Sequence, residues 1–321
     1  MIRGLALALL AVGIGSGVHL LVPAVPQLTV CVVLGVLAGQ IPAATRVLDG
    51  PLRPGIAAAA RRCLRIGVVL LGLQLVLGDV VRLGWPTVVA VVLVTAVAFA
   101  GTYAIARLAR LPGNEPILLA AGFSICGASA IGAMAAVTRS DPEEQSRPVA
   151  LVTLCGTLAI VVIPLLATAM RLSTDAFGRW TGASVHDVGQ VVATAQQWGS
   201  AALAVAVVVK LLRVLLLAPL VAGTGLVLRL RGAAEGVRAP IVPLFVLGFV
   251  VAVAVRSLLP VPQPVLDVAQ LLQTVLLGMA LFALGSGIRL RRLLGTGLAT
   301  AAAGLGAWAL IAVAALAVVA A

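Results

Sequence analysis

Residues Ala201–Leu228 read AALAVAVVVKLLRVLLLAPLVAGTGLVL, an apolar run interrupted by two charges, Lys210 and Arg213. A helix crosses the hydrocarbon core of a bilayer in about 20 apolar residues, and this run is longer than that. The same texture continues on both sides. Hydrophobic residues make up 62% of the 321-residue chain and charged residues 10%, with a mean hydropathy of +1.21. A soluble domain carries roughly a quarter of its residues charged, so water is excluded as the main environment. Only helices and closed barrels satisfy their backbone groups in lipid. Barrel strands alternate polar with apolar residues, whereas these runs are unbroken. The fold class is therefore all-α, a polytopic helical bundle, and residues 1–321 form one integral membrane domain.

Eleven apolar segments follow from that rule: Gly4–Val22, Leu28–Ile41, Leu64–Leu77, Pro86–Ala106, Pro116–Thr138, Val149–Met170, Gly182–Trp198, Ala201–Leu228, Ile241–Leu258, Val265–Ile288 and Leu294–Ala320. Arginine and lysine concentrate in cytoplasmic loops of membrane proteins. With the amino terminus inside and every segment crossing, 16 basic residues fall inside and four outside (Arg82, Arg139, Arg147 and Arg256). That places the carboxyl terminus outside. Removing the first segment leaves two groups of five, in repeat halves 28–170 and 182–320, the arithmetic of an inverted-repeat transporter with broken helices near its centre.

Three clusters break the apolar monotony. Gly122-Phe123-Ser124-Ile125-Cys126-Gly127-Ala128-Ser129-Ala130-Ile131-Gly132 lies midway through the fifth segment. Small residues allow close helix packing, but two serines among glycines also suit a helix that unwinds. Its new amino terminus would offer N–H donors to an oxyanion. The second cluster is Ser184-Val185-His186-Asp187-Val188-Gly189-Gln190. On a continuous helix His186, Gln190, Thr194 and Gln197 share one face, with Asp187 at its border. Such a stripe lines a polar cavity if it lies inside the membrane, and merely caps a short helix if it lies at the rim. His186 with Asp187 is the candidate proton-coupling or gating pair. In the third cluster, Lys210 and Arg213 share a face and repel unless something negative stands between them. An anionic solute or Asp187 would serve; a span beginning at Val209 would instead put both at the outer edge. Gln74 is expected to make a helix–helix hydrogen bond, and Phe282–Ile288 is a second small-residue stretch.

Cys31, Cys63, Cys126 and Cys155 lie in or beside apolar segments without metal-ligand spacing, so they read as small buried hydrophobes. The formal charge of +12 resides in short loops rather than in a polybasic block, which argues against nucleic acid. No phosphate-cradling Gly-Lys-Ser/Thr loop is present, and neither a cofactor nor a metal is expected.

The Gly122–Ile131 run, the run from Ser184 to Ala193 and Lys210–Val214 followed by Leu215-Leu216-Leu217-Ala218-Pro219 together resemble the YeiH-like family (UPF0324) of bacterial membrane proteins named for sulfate export. The resemblance extends along nearly the whole chain. It implies a transporter exporting sulfate across the inner membrane, and more distantly a kinship with inverted-repeat cation/proton antiporters.

The residues themselves suggest a secondary transporter of a small anion. Ser124, Cys126, Gly127, Ser129, Gln190, Lys210 and Arg213 are the candidate solute ligands. The expected partners are the anionic solute and membrane lipid, with a homodimer left open. A cation/proton antiporter is the alternative within transport, although it calls for more core carboxylates than Asp187. An intramembrane enzyme using His186 and Asp187 is the alternative from another class, and it lacks a visible nucleophile or metal set beside them.

Overall fold

In the computed structural model, residues 1–22, 27–75, 78, 84–230, 244–287 and 298–320 are described. Among them the regular elements are helices: α1 Ile2–Leu21, α2 Gln27–Gln40, α3 Pro42–Asp49, α4 Arg53–Ala58, α5 Leu64–Gly72, α6 Gly84–Leu108, α7 Glu115–Ser124, α8 Ala128–Thr138, α9 Pro142–Ala169, α10 Thr174–Ser184, α11 Val188–Ala195, α12 Ser200–Leu215, α13 Leu217–Leu230, α14 Leu244–Leu258, α15 Gln263–Ser286 and α16 Leu298–Ala320. A π turn, Ala59–Cys63, joins α4 to α5. Among the described residues six helical stretches are long and apolar enough to cross a membrane, and α2 with α3, bent by 101°, passes the same test only when the pair is taken together. The chain is a multi-pass membrane protein. The loop arginines Arg82, Arg231, Arg238, Arg289, Arg291 and Arg292 lie outside the described residues.

The chain divides into two compact units, Met1–Leu83 with Ala195–Ser200 and Pro243–Leu290, and Gly84–Thr194 with Ala201–Val242 and Arg291–Ala321. In the first, α15 packs on α1, α2, α5 and the π turn. The core there is made of small side chains, among them Ala8, Ala11, Cys31, Ala59, Ala280 and Ala283. Small residues let helix backbones approach in lipid, where no hydrophobic drive separates helix from solvent. A methyl group on Gly285 would sit 2.6 Å from the Val32 carbonyl oxygen, so the described part of the Phe282–Ile288 stretch, which ends at Gly287, packs on α2. Gln74 Nε2 donates to the Leu266 carbonyl at 3.4 Å, the interhelical bond its isolation in sequence suggested.

The second unit departs from simple crossing. The backbone leaves the helix after Ser124 and re-enters it at Ala128, an unwinding that the Gly122–Gly132 composition anticipated. The two limbs then double back. Asn114 Nδ2 lies 3.5 Å from the Thr138 carbonyl oxygen, and Glu144 Oε1 accepts the Asn114 amide at 3.1 Å. Helices of 10 and 11 residues laid end to end would hold those ends about 30 Å apart. Residues Pro116–Thr138 thus form a hairpin rather than a through span. Gly122 sits against Ile131, so close that a methyl group would meet the Ile131 side chain at 2.8 Å.

The Gly182–Trp198 segment behaves in the same way. The helix begins earlier, at Thr174, and breaks at Val185–Asp187. Gly178 faces the Ala202 carbonyl and Gly182 the Ala206 carbonyl, so α10 and α12 run parallel from the same level. The eight residues of α11 rise about 12 Å and return the chain to that level. The continuous stripe of His186, Gln190, Thr194 and Gln197 therefore does not form. His186 and Asp187 lie in the break, Gln190 and Thr194 on the returning limb, and Gln197 in the 3₁₀ turn Gln196–Trp198 of the first unit.

The long helix α9 orients both hairpins. Its 28 residues span about 42 Å. Near its start Arg147 pairs with Glu115 at 3.2 Å, and Asp141 with Glu144 forms a capping box. Its end leads within four residues into α10. The first hairpin opens at one end of α9 and the second at the other, and their tips meet beside its middle, with Gly127 against Val152 and Asp187.

Candidate functional site

A helix leaves its last four carbonyls without intrahelical partners and carries a partial negative charge at that end. Two such ends, those of α7 and α10, converge at the hairpin tips. Lys210 and Arg213 on α12 meet them. Lys210 Nζ donates to the Val185 carbonyl at 2.9 Å and to that of Ile125. Arg213 Nε donates to Ser124 O at 3.0 Å, and its terminal nitrogens to Phe123 O at 3.0 Å, Ser124 O and Ala183 O. Both side chains are fully buried, not splayed toward headgroups. The negative partner between the two cations is thus main-chain oxygen, which no side-chain pattern announces. The small-residue spacing Gly178/Gly182 on α10 against Ala202/Ala206 on α12 was the available signal for this docking.

His186, also fully buried, stacks on Phe123 with ring centroids 4.4 Å apart. Its Nδ1 lies 3.3 Å from Phe123 O. That bond assigns the proton of the neutral ring to Nδ1. Nε2 is left as a buried acceptor with no hydrogen-bond partner among the described residues.

Beyond each break a new helix begins. At α11, Asp187 Oδ1 accepts the Gly189 amide at 2.8 Å and Gln190 Oε1 accepts the Asp187 amide at 3.2 Å. Gln190 Nε2 reaches the Thr153 carbonyl at 3.2 Å, seated on Gly156, where any Cβ would overlap the amide. At α8 the N-cap residue has no side chain to offer, and the Cys126 sulfur meets the Ala130 amide. Its N-cap is Gly127, at φ +69°, a conformation open to glycine at little cost, and Ala128 and Ser129 are exposed. The Ser124 hydroxyl turns back onto Ala121 O at 3.4 Å, and Cys126 is buried.

Ser124, Cys126, Gly127, His186, Asp187, Gln190, Lys210 and Arg213 accordingly gather at the two tips, with Ser129 on the open first turn of α8. Sequence reasoning missed Phe123, Ile125, Ala183 and Val185, whose contribution is their carbonyls. It also missed Thr153 and Gly156, which hold the Gln190 amide. Among the described residues no cluster of three His, Cys, Asp or Glu side chains is arranged for a metal ion.

Comparison with known proteins agrees with a multi-pass membrane protein. The family model described as Conserved hypothetical protein 698 matches residues 1–304. A UPF0324 membrane protein of Corynebacterium glutamicum is 41% identical over 299 residues, covering 92% of this chain and 85% of that one. One from Pseudomonas putida is 34% identical over 278 residues, covering 82% and 77%, and one from Staphylococcus epidermidis is 30% identical over 244 residues, covering 76% and 74%. No solved structure matches the chain.

Proposed function

The chain belongs to the membrane-protein family described as Conserved hypothetical protein 698, and from that premise we propose that it is a secondary transporter of a small oxyanion such as sulfate, exported across the inner membrane. The observation that carries this reading is the exposed amino-terminal turn of α8 at Ala128 and Ser129, which follows directly on the Phe123, Ser124 and Ile125 carbonyls that Lys210 and Arg213 hold. Unpaired N–H groups and a positive helix end suit an oxyanion. Discontinuous helices near the membrane centre are where secondary transporters hold their solutes.

In this reading Ala128 and Ser129 touch the solute through amides and hydroxyl, Gly127, whose amide is held by the Gly122 carbonyl at 2.9 Å, sets the turn, and Gln190 lies across the tip. Ser124 and Cys126 shape the turn. Lys210 and Arg213 supply a positive field rather than direct bonds, since most of their hydrogens are engaged by carbonyls. His186 and Asp187 are the coupling or gating pair. The Asp187 carboxylate caps α11, which leaves a cation little to bind and disfavours the antiporter reading.

We propose a cytoplasmic amino terminus and an external carboxyl terminus. Two hairpins doubling back in place of two crossings move Arg139 and Arg147 to the inside and Arg171 and Arg179 to the outside. The basic bias remains 16 to four, so the positive-inside rule supports the doubled-back topology as well as it supports eleven crossings.

The test is flux. Purified protein in proteoliposomes should exchange labelled sulfate for internal sulfate or a competing oxyanion, and Ser129→Ala should raise the half-saturating concentration. Well-folded protein with no oxyanion flux under any gradient would defeat the proposal.

A further inference from the structure

The second unit contains a cavity of about 530 Å³ far from the hairpin tips, between α6, the mouth of the first hairpin and α13. Phe99, Tyr103 and Arg107 face it at four-residue spacing along the last turns of α6, so they form one stripe. Ile117 on α7 and Leu220 and Val227 on α13 supply an apolar wall. Asn114 and Thr138, the residues that close the hairpin mouth, line it too. Among the described residues Arg107 is the one charged residue of the lining, and no acidic side chain shares it.

We infer that this cleft binds an anionic phospholipid, its phosphate at Arg107 with Tyr103 beside it and one acyl chain along Phe99, Ile117, Leu220 and Val227. A basic pocket between helices on the cytoplasmic side matches phosphate-bearing lipid in charge, and a wall this apolar would leave most of a free inorganic anion against hydrocarbon. The volume is within the range of a site for a small molecule or single chain. Contact with Asn114 and Thr138 puts the lipid against both limbs of the hairpin at its base, where occupancy would stiffen the fold-back.

The inference is independent of what the protein transports. The experiment is native mass spectrometry of the purified full chain titrated with phosphatidylglycerol, and separately with phosphatidylcholine, read alongside thermal unfolding. Phosphatidylglycerol should be retained preferentially and should raise the melting temperature. Arg107→Gln should weaken its binding about fivefold, the worth of one basic residue near a headgroup. Gly223 lines the cleft and a Cβ there meets nothing within 4 Å. Gly223→Leu should therefore fill the space and abolish retention while leaving Arg107 in place. Equal retention of the two lipids, unchanged binding in both variants, or stabilisation by inorganic phosphate alone would each overturn the assignment.

Discussion

The two hairpins are built alike up to their tips and differently just beyond them. Each inbound limb ends in carbonyls that Lys210 and Arg213 satisfy. Each break is followed by a fresh helix start. The second hairpin closes that start with its own side chains, Asp187 and Gln190, whereas the first leaves Ala128 and Ser129 exposed beyond a glycine cap. The proposed function places the solute at the exposed one of these two positive ends. The difference also separates two roles for charge: the buried cations hold the tips together, and the open turn is the proposed solute site.

The comparison breaks most completely if the hairpins are not hairpins. In a cysteine-free background, Ser140→Cys should react with an impermeant thiol reagent only from the cytoplasmic side and Thr174→Cys only from outside. Opposite sidedness at both would mean that the limbs pass through. Next in size is the cation clamp. Arg213→Ala strands carbonyls from both inbound limbs and leaves Lys210 alone with them. It should cost about 3–5 kcal/mol, read as a large fall in melting temperature in detergent. A smaller loss, about 1–3 kcal/mol, is expected for Gly127→Ala, since a side chain there must hold φ near +69°. Asp187→Ala removes the α11 cap for about 1 kcal/mol, while Asp187→Asn keeps a capping oxygen and should be near neutral. The smallest effect is at the hairpin mouth. Glu115→Gln should change stability by no more than about 1 kcal/mol, because Arg147 is half exposed and screened.

Much of this was legible in the sequence and some was not. The helical segmentation followed from composition, and the unwinding at Gly122–Gly132 followed from glycine and serine where a span should be apolar. The doubling back did not follow. An apolar stretch that turns round at mid-membrane has the same composition as one that goes through, and both topologies satisfy the arginine bias. The polar stripe through His186 failed because helical periodicity was carried back to His186, which lies in the break before α11 begins at Val188, and forward to Gln197, which lies in a 3₁₀ turn. Lys210 and Arg213 were recognisable as needing a negative partner. That partner is peptide oxygen, contributed equally by Phe123, Ser124, Ile125, Ala183 and Val185, so residue identity says nothing about it.

Reactivity at the open turn probes the site most directly. With Ser129→Cys as the only cysteine, labelling by an anionic thiol reagent should be fast and should slow several-fold in the presence of sulfate, with sodium chloride at equal ionic strength as the control. Labelling that is indifferent to sulfate and to other oxyanions, in protein that melts normally, would contradict an anion site at the amino terminus of α8.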